Sequence, residues 1–145
     1  MNPELEELSA TLDGLRAGVL KKLAGLSEAD ARRSTVGSGT NVAGLIQHLT
    51  FVESHWFEEI IDGGKVTRGK RSMQVDPGTS LRTVRAEYKA ACTRSNEIIA
   101  ALDDPDLPVK SHTLRWAILA VINETARHAG HADIIREQLD GSTGR

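Results

Sequence analysis

A chain of 145 residues with 39% hydrophobic and 26% charged side chains can bury a real core and has an ordinary globular composition. Its formal net charge of -2 excludes a broad electrostatic pull toward nucleic acid or anionic membrane. Cys92 is the lone cysteine, which excludes an internal disulfide and predicts a cytoplasmic protein. The acidic start Met1-Asn2-Pro3-Glu4-Leu5-Glu6-Glu7 lacks the basic residues and apolar run of a signal peptide. No apolar stretch approaches the roughly 20 residues of a membrane span.

Four helical patterns follow in chain order. Leu5, Leu8, Leu12, Leu15, Val19 and Leu23 recur at threes and fours and predict one apolar helix face. The polar run Ser34 to Asn41 ends in cap-forming residues. A second stripe runs Val42, Leu45, Ile46, Leu49, Val52, Trp56 and Ile60, and Asp62-Gly63-Gly64 stops it. A long loop leads to Asp76-Pro77-Gly78-Thr79. The third stripe is Leu81, Val84, Tyr88, Ala91, Ile98 and Leu102. Asp103-Asp104-Pro105-Asp106-Leu107-Pro108 breaks it, because proline lacks an amide hydrogen and disfavours helix before it. The fourth stripe, Leu114, Ile118, Val121, Thr125, Ala132 and Leu139, ends at Gly141. There is no strand-like alternation of useful length. The expected fold is all-α, a four-helix bundle.

The residues that break these patterns carry the chemistry. Glu124 and His128 are four apart, about one helical turn, and project from one face. His128 falls near the centre of the fourth stripe, with Glu124 and His131 on its edge. His48 lies on the flank of the second stripe and His55 two turns further along it. A buried imidazole needs a partner, and a bundle supplies one by facing two helices inward around a metal. His48, Glu124 and His128 are the sharpest ligand set, since imidazole and carboxylate suit a divalent ion such as zinc. His128 with His131 is a competing pair, and a hydrogen-bonded core histidine is the plainer alternative. His55 and His112 read as surface residues.

Glu53 falls inside the second apolar stripe and calls for a cationic partner, with Arg115 and Arg127 as candidates. The loop Gly64-Lys65-Val66-Thr67-Arg68-Gly69-Lys70-Arg71 carries four cations, either a solvated loop or a guide for an anionic substrate. Cys92 reads as a small core residue. No nucleophile elbow and no phosphate-binding glycine loop is present.

Gly44-Leu45-Ile46-Gln47-His48-Leu49-Thr50-Phe51-Val52-Glu53, followed by Trp56-Phe57, resembles the second-helix signature of the DinB-like superfamily. Arg115-Trp116, then Glu124-Thr125-Ala126-Arg127-His128-Ala129-Gly130-His131-Ala132-Asp133, Arg136-Glu137 and Asp140-Gly141, resemble its fourth-helix signature. The resemblance spans about Leu20 to Gly141 and points to the small actinobacterial-type branch related to mycothiol-dependent maleylpyruvate isomerase. It implies one DinB-like domain over residues 1–145, a four-helix bundle with a divalent metal near one end. Many relatives use three histidines; the mycothiol-dependent branch is similar in using His, Glu and His, which carries onto His48, Glu124 and His128. The implied metal is zinc, with nickel, iron and manganese as alternatives.

Two departures stand out: Ala120 where relatives carry a histidine one turn before the glutamate, and His131 where many carry glutamine. The resemblance leaves His131 a catalytic proton carrier or a support for a ligand, and Arg127 and Asp133 as residues that orient ligands from outside. The implied activity is a metal-dependent thiol S-transferase using mycothiol or a similar small thiol on an electrophilic substrate. A metal-dependent hydrolase and a non-catalytic, stress-associated binding protein are the alternatives. The expected partners are small molecules and a second copy of the chain in a homodimer, with no nucleic acid and no membrane.

Overall fold

A computed structural model describes residues 2–65 and 68–144. Its long elements are α1 (Pro3–Leu23), α3 (Val42–Glu53), α4 (Leu81–Ala100) and α5 (Leu114–Asp140), with a short α2 (Glu28–Arg32) between the first two. Each long helix starts on a side-chain cap: Asn2, Asn41, Ser80 and Thr113 accept amide hydrogens of their first turns. Gly141, at φ 79°, closes α5 in the left-handed conformation that glycine adopts without strain. α1 packs chiefly along α5, α3 chiefly along α4, and α3 also lies against α5. This is the expected all-α four-helix bundle. Among the described residues no helix is long and apolar enough to cross a membrane.

Three local features were not anticipated. One is α2, a single turn capped by Ser27. Another is the antiparallel hairpin of β1 (Pro108–Val109) and β2 (His112–Thr113), too short for any alternation to register. The third matters most: α3 continues into a π-helical segment, Ser54–Ile61. Wider winding turns the inward face away from the positions a 3.6-residue period selects. Phe57 and Glu58 are therefore buried, while Trp56 and Ile60, assigned to the stripe, are only half-buried.

The core has two parts. One joins Val19 and Leu23 to Leu45, Leu49, Tyr88 and Ile135. The other joins Leu5 and Leu12 to Val52, Phe57, Ile99, Ile118 and Val121. On the way from one to the other each long helix carries a buried polar residue: Arg16, Glu53, Ser95 and Thr125. Ser95 and Thr125 return their hydroxyls to backbone carbonyls one turn back, at 2.9 and 2.7 Å. Arg16 meets Glu53 through paired bonds of 2.7 Å, Nε to Oε1 and Nη2 to Oε2, and also reaches Asp13 and Asn96. The expected partners Arg115 and Arg127 are thus corrected to Arg16. Arg115 instead ties the start of α5 to Glu4 and Asp106.

The chain between α3 and α4 straps along α3. Asn41 donates to the Met73 carbonyl at 3.0 Å, and Gln47 to those of Ser72 and Gln74, both at 3.0 Å. Arg68 anchors the near end on Glu58, at 3.1 Å, and Ser54 donates to the same carboxylate at 2.8 Å. The strap lies so close at Gly44 that a Cβ there would sit 1.8 Å from the Met73 carbonyl oxygen. Gly44→Ala is expected to lift the strap and lower stability by about 1–3 kcal/mol, read as a drop in Tm. An unchanged Tm would mean the strap does not grip α3 there.

Candidate functional site

α3 and α5 bring His48, Glu124 and His128 together, with one donor atom of each within 4.8 Å of the others. Glu124 Oε2 is 3.6 Å from His48 Nε2 and 3.3 Å from His128 Nε2. The two rings meet edge to face with centroids 5.0 Å apart. His128 is the most covered of the three, its side chain 11% exposed, while His48 and Glu124 are half-buried. His48 lies within α3, and Glu124 and His128 lie within α5, away from the terminal residues of either helix.

Backbone geometry sets the tautomer of His48. Its Nδ1 is 3.1 Å from the Arg71 carbonyl oxygen, which can only accept, so Nδ1 carries the proton. In the neutral ring Nε2 is then the lone pair, 3.6 Å from a Glu124 carboxylate oxygen. Two acceptors turned on one another repel unless a cation or a proton lies between them. Burial, then the neighbouring His48, lowers the pKa of His128 and favours its neutral, ligand-ready ring. Donors bound tetrahedrally to one ion at about 2.0–2.2 Å stand about 3.4 Å apart, close to both separations from Glu124. The donor set therefore fits a divalent ion.

His131 is exposed, and its Nδ1 lies 3.2 Å from His128 Nδ1, on the side of the ring away from Glu124. Arg127 is exposed. Asp133 pairs with Lys22 at 2.8 Å, so its recorded partner is on α1 and not a ligand ring. His112 is exposed and stacks on Trp116. His55 corrects the surface reading: it is half-buried, pairs with Glu59 and stacks on Phe51.

Beside His48 and Glu124 opens a cavity of about 620 Å³. Phe51, Val52, Trp56, Trp116 and Leu119 form its apolar wall, with Ala120 and Asn123 nearer Glu124. Arg71 reaches its rim and lies 5.0 Å over the Phe51 ring. The basic loop divides by role. Arg68 is held by Glu58 and Lys70 by Asp76 at 2.7 Å, Lys65 is exposed, and Val66 and Thr67 lie outside the described residues. The wall joins Phe51 and Val52 of α3, Trp56 of the π-helical segment, and Trp116 and Leu119 of α5, a combination that no single helix period displays. Trp56, Trp116 and Leu119, apolar yet off the most buried positions, were the available signal.

Cys92 lies half-buried against the core on α4, away from the ligand cluster. Burial, then the Glu53 charge, pushes its thiol up to about 12. The folded protein at neutral pH is therefore expected to alkylate at least about a hundredfold more slowly than the denatured chain. Comparable rates under iodoacetamide, followed by mass spectrometry, would contradict the burial.

A family model described as mycothiol-S-transferase matches residues 7–141. No curated protein matches the sequence. A crystal structure of a conserved protein from Enterococcus faecalis superposes with a TM-score of 0.71. It covers 98% of this chain and 99% of that one at 17% identity, a likeness of fold alone.

Proposed function

The chain belongs to the mycothiol-S-transferase family, a DinB-like family, and from that premise we propose that it transfers a low-molecular-weight thiol of the mycothiol type to an electrophilic small molecule. His48, Glu124 and His128 would hold a divalent ion, with zinc the first choice for two imidazoles and a carboxylate. Such an ion, when bound, supplies the Lewis acidity that lets a thiol shed its proton near neutral pH. The observation that carries the reading is the convergence of two imidazoles and one carboxylate from α3 and α5, with one donor atom of each within 4.8 Å of the others.

In the transfer the thiol sulfur attacks an electrophilic carbon. The sulfur–carbon bond forms, the leaving group departs with its bonding pair, and the thiol proton goes to solvent. The Arg71 carbonyl keeps His48 in one tautomer, and His131 fixes the ring of His128 from behind. In this reading His131 supports the His128 ring, and its exposed imidazole is also the candidate proton carrier. The cavity beside the cluster takes the electrophile and sheds water as it fills. The kinship with maleylpyruvate isomerases, the homodimer and the cytoplasmic setting belong to the same proposal.

The test is elemental analysis of untagged protein, joined to turnover of an electrophile with and without added thiol. About one divalent metal per chain and turnover only with thiol are the expected results. Turnover without thiol would make the protein a hydrolase. Absence of metal after reconstitution would leave His128 a core histidine.

A further inference from the structure

We infer that the cavity beside the cluster selects electrophiles with a flat aromatic body and one anionic group, the anion held by the Arg71 guanidinium. The inference rests on the thiol-transfer reading for the word electrophile, while the binding preference stands on the cavity itself.

The wall argues for the ring. Phe51, Val52, Trp56, Trp116 and Leu119 are contiguous around about 620 Å³, a volume typical of small-molecule pockets. Trp116 and Leu119, three apart on α5, are 41% and 45% exposed, so large apolar area is left to water where a ligand would cover it. Trp56 and Trp116 meet at a steep angle, 62° between planes with centroids 5.7 Å apart. That leaves ring edges and faces for an aromatic guest at offset or edge-to-face distances. The polar groups of the lining are His48, His55, Arg71, Asn123 and Glu124, and the five large apolar side chains offer a polyhydroxylated sugar thiol no partners. That apolar part of the wall suits the electrophile better than the thiol.

The rim argues for the anion. Arg68 and Lys70 of the same loop are neutralised by Glu58 and Asp76. Arg71 is exposed and has no carboxylate partner among the described residues. Its guanidinium is held over Phe51 at 5.0 Å, and its carbonyl is engaged by His48. The side chain is thus tethered at the cavity with its donors available, a fixed fork suited to a carboxylate.

Both tryptophans of the chain line the cavity, so intrinsic fluorescence reads its occupancy directly. The probes are 3-phenylpropionate, its neutral analogue 3-phenylpropanol and ring-less propionate. They are titrated into the full chain as purified, into chelator-treated protein and into His48→Ala. The acid is expected to bind saturably, about tenfold tighter than the alcohol, the gain of a charge-assisted bond, with no response to propionate. Arg71→Gln keeps the backbone carbonyl that orients His48, so it should erase the acid's advantage while the alcohol still binds. Trp116→Ala should weaken both ring-bearing probes. Equal affinity for acid and alcohol in the wild type would overturn the inference, as would an acid preference that survives Arg71→Gln. A preference that vanishes on chelation would assign the carboxylate to a metal and sink the role of Arg71. Failure of the thiol-transfer reading would show instead as missing metal or missing turnover, with the probe affinities unchanged.

Discussion

Alanine in place of His48 or of His128 is expected to strip the protein of its divalent metal, from about one ion per chain to less than about a tenth, and to abolish thiol transfer with it. The reasoning is geometric. The three donors come from two helices, and removing either ring leaves two ligands, too few to hold an ion against water and buffer. Neither ring belongs to the two apolar clusters, and His48 lines a solvent-open cavity. Far-ultraviolet circular dichroism and Tm of the chelated proteins should therefore match within a few degrees. A core histidine would behave oppositely: His128→Ala would lower Tm sharply in chelated protein, and metal content would not follow it. His131→Ala separates support from ligation. It should keep the metal but weaken its hold by about 10–100-fold, the usual cost of losing the group that orients a ligating ring.

The cluster was legible in the sequence in two steps: local rules give the Glu124–His128 pair, and the family resemblance joins His48 to it. Glu124 and His128 are one turn apart on a long regular helix, so nothing distorts their spacing. His48 precedes the π-helical segment, and its bearing on the stripe is still that of a 3.6-residue helix. Beyond Glu53 the rule fails, and with it the reading of Trp56, Ile60 and His55. Within the π-helical segment Glu58 is drawn inward to Arg68 and to Ser54, contacts that the apolar periodicity does not encode. The strap was equally hidden. Gly44 and Gln47 belong to the recognised motif, but their work, clearance for a carbonyl and donors for two more, depends on a loop whose path has no pattern.

Glu53 is the instructive miss. Its burial was foreseen from its place in the stripe, while its partner was sought on the wrong helix. Arg16 sits four residues after Leu12 and three before Val19, inside the first apolar stripe and beside Leu15. A cation and a carboxylate that each interrupt a stripe at the same level of a bundle are candidates to pair, wherever they lie in the chain.

That pair carries the second large effect. Arg16 and Glu53 side chains are 4% and 1% exposed, so water replaces neither if the other is lost. Arg16→Met should leave a buried carboxylate without its counter-charge and cost about 3–5 kcal/mol, measured by urea denaturation. Joining it to Glu53→Met removes the orphaned charge, and most of the loss should return, because two well-packed apolar chains often equal a buried ion pair. The function separates these variants further. Glu53 lies on the helix that carries His48, and Arg16 pins that helix to α1. A single variant that loosens α3 should weaken metal binding through the spacing of His48 and Glu124, whereas the double variant should regain it along with stability. If the double variant stayed as unstable as the single one, the pair would be doing more than neutralising itself. Its bonds to Asp13 and Asn96 would then be holding α1 to α4 as well, and the buried layer would have to be treated as one unit.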